Sequence, residues 1–341
     1  MIRFNKPTIG KKDLESVLNC MIKDDLAPGA YMKSFASMLG QETGAGSVAV
    51  VHSFPHVFDW LFSILGAEKG DEVILPSFSR PQMLYATLAR GLKPVLVDLE
   101  EDSFLPSFEQ VCKKRGERTR CLLLSHMFGV PYDLARYGEA GFPVVENLDG
   151  SIGASVGGKV TGSFGAFAIL HLNDQAMVTT GNGGMLASKE KEWGRHIQSF
   201  KNDPARADYL MSDLNASLGI SQMNKLKQNI ETRRKIGRYY DEAVQGSGGV
   251  LVGRDEGKEL SYSSYALRTR TPFEECQRFF KRHGIPLQKG LSQPLHSLLG
   301  QDVREYPLAE EMCNTLVTLP IYPGLAREEV ENITKSIRAI L

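Results

Sequence analysis

The chain has no long apolar run, no cysteine pair at metal-binding spacing and no excess charge of either sign. None of its 341 residues falls in a stretch approaching the roughly 20 apolar residues of a membrane-spanning helix. The opening MIRFNKPTIGKKDLESVL holds no apolar run of signal-peptide length. The expectation is a soluble, cytoplasmic protein. The 5 cysteines (Cys20, Cys112, Cys121, Cys276 and Cys313) are odd in number, scattered and free of any CxxC. That pattern reads as buried reduced thiols and speaks against a disulfide frame or a metal site. The 40 basic residues cancel the 40 acidic ones, so charge gives no ground for nucleic acid or an anionic membrane as partner. Internal repeats and low-complexity tracts are also absent.

What is present is alternation. Short β-rich runs at Val48–Val51, Glu72–Leu75, Pro94–Asp98, Cys121–Ser125 and Pro143–Glu146 are separated by helical patterns at Val57–Leu65, Gln82–Arg90 and Phe108–Lys114. Continuous apolar strands between helices predict a parallel sheet covered on both faces. Ligands of such sheets sit beyond the carboxyl ends of the strands. A further strand (AFAILHL), a polar turn, a TTGNGG stretch and a second strand (GMLAS) follow between Ala166 and Ser188. A long helix is predicted from about Ser212 to Val244, where Met223, Leu226 and Ile230 recur at helical spacing. The Gly-rich, polar Gly246–Glu259 reads as a domain boundary, giving a large domain over 1–245 and a smaller α+β domain over 246–341. In the smaller domain a strand is expected near Ser264–Arg268, with helices near Phe273–His283 and from about Arg327.

Several phrases together resemble the DegT/StrS family of nucleotide-sugar aminotransferases. They are NKPTIGKKDLESVL, GDEVILPSFS, GLKPVLVDLEEDSF, GSFGAFAILHLNDQAMVTTGNGGML, MSDLNASLGISQMNKL and LPIYPGLAREEVENI. The resemblance covers nearly the whole chain. It implies the fold of type I PLP-dependent transferases: an α/β large domain with a mostly parallel seven-stranded sheet flanked by helices, and a smaller C-terminal domain. It also implies a homodimer, a nucleotide-sugar ligand or an active paralogue as partner, and a place in modified-sugar or polysaccharide biosynthesis.

Fold does not fix chemistry, so the resemblance is tested residue by residue. Transamination through PLP needs a lysine amine and an acid facing the ring nitrogen. Seven positions before the double glycine Gly183–Gly184, where the family pattern places the lysine, stands Ala176, flanked by Gln175 and Met177. The ring-nitrogen carboxylate position is Asn147, whose amide cannot keep that nitrogen protonated. Asp149 supplies a carboxylate two residues on, as a substitute partner or a solvated or capping loop residue. The phosphate turn is Ser53-Phe54-Pro55 in place of a Ser-Gly-Thr type sequence. Pro55 lacks an N–H and Phe54 denies close approach, although Pro after a Ser cap is also an ordinary helix start. The aromatic expected over the ring is replaced by Ser79-Arg80-Pro81. Arg80 reads as a phosphate clamp or a solvated cation. Asp208 stands where an asparagine would reach a phosphate across the dimer, and its charge would repel one.

These five departures lead to the expectation of a homologue that does not transaminate and holds no PLP as an internal aldimine. Polar groups remain at the mapped cleft: His52, Ser53, His56, Arg80, His126, Asn147, Asp149, His171, Asn173, Gln175 and Asp208. Such a set supports a second reading, an enzyme rebuilt on His and Asp groups, with His52, Asp149 and Asp208 converging. No metal is expected, since the histidines come from three strand ends. A third reading keeps a working aminotransferase whose lysine lies elsewhere. His171 on a strand reads as a core histidine. His296, in Gln293-Pro294-Leu295-His296, either touches a ligand or finishes a loop. Lys225, Lys227, Glu231, Arg233 and Arg234 on the long helix read as a solvated face.

Overall fold

Runs rich in Val, Leu and Ile supply strands that can be buried on both faces, and seven of them form the central sheet. They are β1 (Ser47–Val51), β2 (Glu72–Pro76), β3 (Lys93–Val97), β4 (Thr119–Ser125), β5 (Val144–Asn147), β6 (Phe167–His171) and β7 (Gly184–Ser188). The structure is a computed structural model and describes residues 2–24, 26–247 and 249–340. The strand order is β1-β7-β6-β5-β4-β2-β3. Strands β2 to β6 run parallel to one another. β7 is antiparallel to both β6 and β1. Chain order reverses between β2 and β4, and the carboxyl ends of the parallel strands gather His126, Asn147 and His171 on one edge of the sheet. This is the predicted mostly parallel seven-stranded sheet, with every boundary within two residues of the expected runs.

Two helices that the apolar patterning does not single out precede the sheet: α1 (Lys11–Ile22) and α2 (Ala30–Thr43). The helices α3 (Phe54–Ile64), α4 (Pro81–Ala89), α5 (Phe108–Lys114), α6 (Lys191–Lys201) and the long α7 (Asp213–Gln245) follow. Buried Asp213 opens α7 and accepts hydrogen bonds from the backbone N–H of Gly29, Tyr31 and Met32 at 2.8, 3.1 and 2.8 Å. A carboxylate at the amino end of α2 satisfies donors that the helix itself leaves unpaired.

Beyond α7 the chain stays on the large sheet's flank before it enters the small domain. Lys258–Glu259 pairs with Ser155–Val156, and the small three-stranded sheet begins only at β8 (Tyr265–Arg268). That sheet has the order β8-β10-β9, with β9 at Gln288–Lys289 and β10 at Leu316–Leu319, all antiparallel. The helices α8 (Phe273–Arg282), α9 (Pro307–Thr315) and α10 (Arg327–Ile340) complete it.

The expected solvated face of α7 is corrected in part. Lys227 and Glu231 are exposed. Lys225 reaches Asp13 of α1 at 2.5 Å and the Thr8 carbonyl at 2.6 Å. Arg234 donates to the Leu260 carbonyl at 2.7 Å. Arg233 is buried and donates to the carbonyls of Tyr262 (3.0 Å), Ser263 and Ile321. Burial lowers its guanidinium to about 10, so it stays charged at neutral pH. Charge spacing on a helix cannot distinguish solvent from backbone carbonyls brought by a later segment. Arg233→Met is expected to leave those carbonyls unsatisfied and to cost about 2–4 kcal/mol in urea unfolding. An unchanged midpoint would exclude a joint at this position.

Candidate functional site

A cavity of about 210 Å³ opens where the carboxyl ends of the strands face the small domain. Of the residues expected at the cleft, Arg80, Asp149, Asn173, Gln175 and Ala176 line it. Sequence reasoning missed Asn5, Phe128, Ser263, Ser264, Lys289 and Thr318, which line it too. The small-domain residues carry no motif that marks them. Phe128 sits at φ 59 beside Gly129 at φ 86. A bulky residue in that region is a strained turn, and Phe-Gly was its one sequence signal.

Arg80 and Asp149 meet at 3.2 Å as an ion pair without the alignment of a hydrogen bond. Neither is the solvated loop residue expected: their side chains are 32% and 18% exposed. Gly150 follows at φ 97, and a Cβ there would lie 2.5 Å from Ser263 Oγ, so only glycine fits. Ser263 Oγ and Arg80 Nε are buried without a hydrogen-bond partner. Buried polar atoms of this kind are rare in folded proteins, and two of them face one cavity.

The turn that carries Ala176 is held by one backbone hydrogen bond and by two asparagine side chains. Asn173 Oδ1 accepts from Gln175 N at 3.1 Å, Ala176 N donates to the Asn173 carbonyl at 3.2 Å, and Asn5 Nδ2 donates to the Gln175 carbonyl at 3.2 Å. The residue presented to the cavity is therefore a methyl group. One lysine does line the cavity, Lys289, and its Nζ lies 5.2 Å from the centre of the Phe273 ring. That contact turns the ammonium toward the small domain.

Deeper in, the Phe54 ring lies flat on His171, with centroids 4.4 Å apart and planes 8° from parallel. Phe54 is 5% exposed and also packs on β7, where a Cβ on Gly184 would meet its ring at 3.2 Å. His171 is thus half-buried at a strand end under an aromatic lid, with its Nδ1 paired to Asn173 Nδ2 at 3.4 Å. Burial lowers its affinity for a proton, while Asp149 raises it and Arg80 lowers it. At the entrance to α3, His56 stands edge-on to His52 at 4.4 Å and to Tyr209 at 4.3 Å. Ser53 caps α3 by position only. Its hydroxyl pairs with His56 Nδ1 at 3.0 Å. Asp208 is exposed in a 3₁₀ turn. Among the described residues His52, Asp149 and Asp208 share no hydrogen bond or ion pair, so the convergence expected of a rebuilt acid–base site is absent. No group of three or more His, Cys, Asp or Glu among them has the arrangement of a metal site.

Three other candidates are structural. His126 Nδ1 accepts from Tyr132 N at 3.2 Å, which leaves the proton on Nε2 to donate to Glu146 at 3.0 Å. Glu146 also accepts from the N–H groups of Gly162, Phe164 and Gly165 at 2.8, 2.6 and 2.5 Å. Asn147 donates to Ser125 Oγ at 3.3 Å and accepts from Asp149 N at 3.0 Å. His296 is fully buried between Ser77 Oγ (2.6 Å) and Glu310 (2.9 Å), with Tyr306 stacked on its face. It ties the small domain to the end of β2 and does not face the cavity.

Residues 7–338 match the DegT/DnrJ/EryC1/StrS aminotransferase family. The chain belongs to that family. It is 22% identical over 353 residues to the GDP-perosamine synthase of Escherichia coli O157:H7, a match covering 97% of this chain and 96% of the relative. It is 26% identical to the putative pyridoxal phosphate-dependent aminotransferase EpsN of Bacillus subtilis, over 86% of this chain and 83% of that one. Among solved structures, the aminotransferase TlmJ from Streptoalloteichus hindustanus superposes with a TM-score of 0.90 at 26% identity, covering 99% and 98% of the two chains. The PLP form of the putative sugar aminotransferase Spr1654 from Streptococcus pneumoniae superposes at 0.91 with 22% identity, over 99% and 98%. The fold and the family's dependence on PLP are thereby fixed, as the resemblance implied.

The stack on His171 makes its own prediction. His171 is expected to titrate below its ordinary 6.5 and to be neutral at pH 7. Phe54→Ala, which admits water, raises that midpoint, and Asp149→Asn lowers it further. The ring C–H signals of His171 followed by NMR against pH read both; a wild-type midpoint above 6.5 would contradict the burial argument.

Proposed function

We propose that this family member does not transaminate and uses its cleft to hold a nucleotide-linked sugar. The observation that carries the proposal is the Ala176 methyl at the cavity wall, where the family pattern carries its lysine. A methyl group forms no imine and moves no proton.

The remaining residues fit PLP poorly for independent reasons. A phosphate needs backbone donors at a helix start, and α3 begins Phe54-Pro55, with one ring occupying the approach and one N–H missing. The Phe54 ring is held between His171 and Gly184, so clearing that space would disrupt a buried contact. The Asn147 amide is bonded to Ser125 and Asp149 and supplies no carboxylate.

The same cavity suits a polar, anionic, hydroxyl-rich ligand. Arg80 and Lys289 supply positive charge, partly offset by Asp149 in ion pair with Arg80, Asn173 and Ser264 supply hydrogen-bonding groups, and Ser263 Oγ is desolvated without a hydrogen-bond partner. A diphosphate bound there gains charge-assisted hydrogen bonds at little reorganisation cost. Relatives named for GDP-perosamine and for dTDP-4-dehydro-2,3,6-trideoxy-D-glucose support a nucleotide-linked sugar as that ligand, and modified-sugar or polysaccharide biosynthesis as its setting.

Two measurements test this. PLP added to the purified protein is expected to give no imine band, and borohydride reduction followed by peptide mapping no modified cleft lysine. A reduced adduct on Lys289 would restore the aminotransferase reading. In calorimetry with a dTDP- or GDP-linked sugar, Arg80→Ala is expected to weaken binding at least about tenfold, or 1.4 kcal/mol. Equal affinity in wild type and variant would remove the cleft as the site.

A further inference from the structure

We propose that the groove between α7 and α10 is the docking site for an acidic amphipathic helix of a partner protein. The groove has a volume of about 600 Å³ and is walled by residues 232–239 of α7 and 327–338 of α10. Ile236, Leu325 and Val330 give it an apolar floor, and Tyr239, 58% exposed, adds an uncovered aromatic ring. Concave apolar surface of this kind marks a binding groove more often than a scatter of single hydrophobes does.

The chain cannot close the groove over itself. Tyr240, the next residue of α7, is fully buried and donates to the Pro320 carbonyl at 3.2 Å, which fixes the rotation of the helix and leaves Tyr239 outside. On α10 the buried Ile333 and Ile337 fix the opposite wall in the same way. Positions 232, 235, 236 and 239 have the i, i+3, i+4, i+7 spacing of a face that packs on a helix. The wall from 327 to 338 runs beside it for about 16 Å, or three turns. A valley between two helices is shaped for a third. Both walls are helical and their backbone groups are paired internally, so an extended peptide finds no strand edge to join.

The charges indicate the chemistry of the partner. Lys235 on one wall and Lys335 and Arg338 on the other form no ion pair among the described residues. Glu331, the one carboxylate among the described residues lining the groove, is taken by Arg327 at 2.9 Å. The chain as a whole is neutral, so this positive excess is local. Cations on both rims of an apolar floor match a helix whose apolar stripe is flanked by Asp and Glu. A flat bilayer would rest on the rims and leave the concave floor uncovered, and a nucleic-acid backbone would leave that floor without an apolar partner.

The test is a selection of helix-biased peptides displayed on phage against the full chain. Enriched sequences are expected to carry apolar residues at helical spacing with acids on both sides. The leading peptide, synthesised and labelled, is expected to become helical on binding. Its affinity is expected to fall at least about tenfold in Tyr239→Ala and in Lys335→Glu with Arg338→Glu, and to weaken as salt rises from about 0.1 M to about 1 M. All three side chains are exposed, and an unchanged thermal transition verifies that the variants fold. Enriched peptides without acids overturn the proposal, as does a leading peptide that binds the variants as tightly as the wild type, or a selection that enriches nothing. Sedimentation with phosphatidylserine vesicles that is lost in the double-glutamate variant would give the groove to a membrane and overturn it as well.

Discussion

The contact between Phe54 and His171 is what the proposed reading of the cleft depends on. A phenyl ring resting flat on an imidazole covers the inner side of the helix start and of the strand end, while His52 and Pro55 stay exposed. An anion seated there would have to displace a buried aromatic ring, and burial of such a side chain contributes about 1.5–3 kcal/mol. Burial there also lowers the affinity of His171 for a proton, which disfavours the charge that a phosphate would pair with. On the proposed reading, one packing interaction thus works against a phosphate anchor in both space and charge.

Around that contact the polar groups divide into two sets. His126, Asn147, Glu146 and His296 are buried and satisfied by named partners, and they tie strand ends to loops and one domain to the other. Arg80, Asp149, Ser263, Asn173 and Lys289 line the cavity, and in this set hydrogen-bonding capacity is left over. Satisfied networks stiffen a fold, whereas desolvated, unpaired groups on a concave wall favour a ligand that completes them. On the proposed reading these groups serve recognition: a guanidinium, an ammonium, hydroxyls and amides beside the Asp149 carboxylate.

Much of the architecture is legible in the residues because it depends on short-range pattern. Buried runs such as CLLLS and PVVE can only be strands covered on both faces, and the reversal of chain order then places the cleft. The first two helices escape that reading because α1 is apolar on a face that its own chain leaves uncovered, which blurs the periodicity of an ordinary surface helix. The site was legible to the extent that it lies on strand ends. Ala176 lies at the cavity wall, Asn147 at a strand end and Phe54 at a helix start, the elements that the family phrases mark. Their partners are not so marked. Lys289 and Ser263 approach from 87 or more positions beyond Ala176, and the burial of Arg233 and His296 depends on the Ile321 carbonyl, 88 residues on, and on Ser77, 219 residues back. Sequence spacing reports which groups share a face; it does not report what that face meets.

The most direct measurement is a crystal structure of the protein soaked with excess PLP, read at the base of the cleft. The account predicts that Phe54 and His171 remain stacked, with no coenzyme density joined to the chain and no phosphate at the start of α3. A coenzyme ring bonded to a lysine, with Phe54 swung aside and its phosphate against the first turn of that helix, would contradict it.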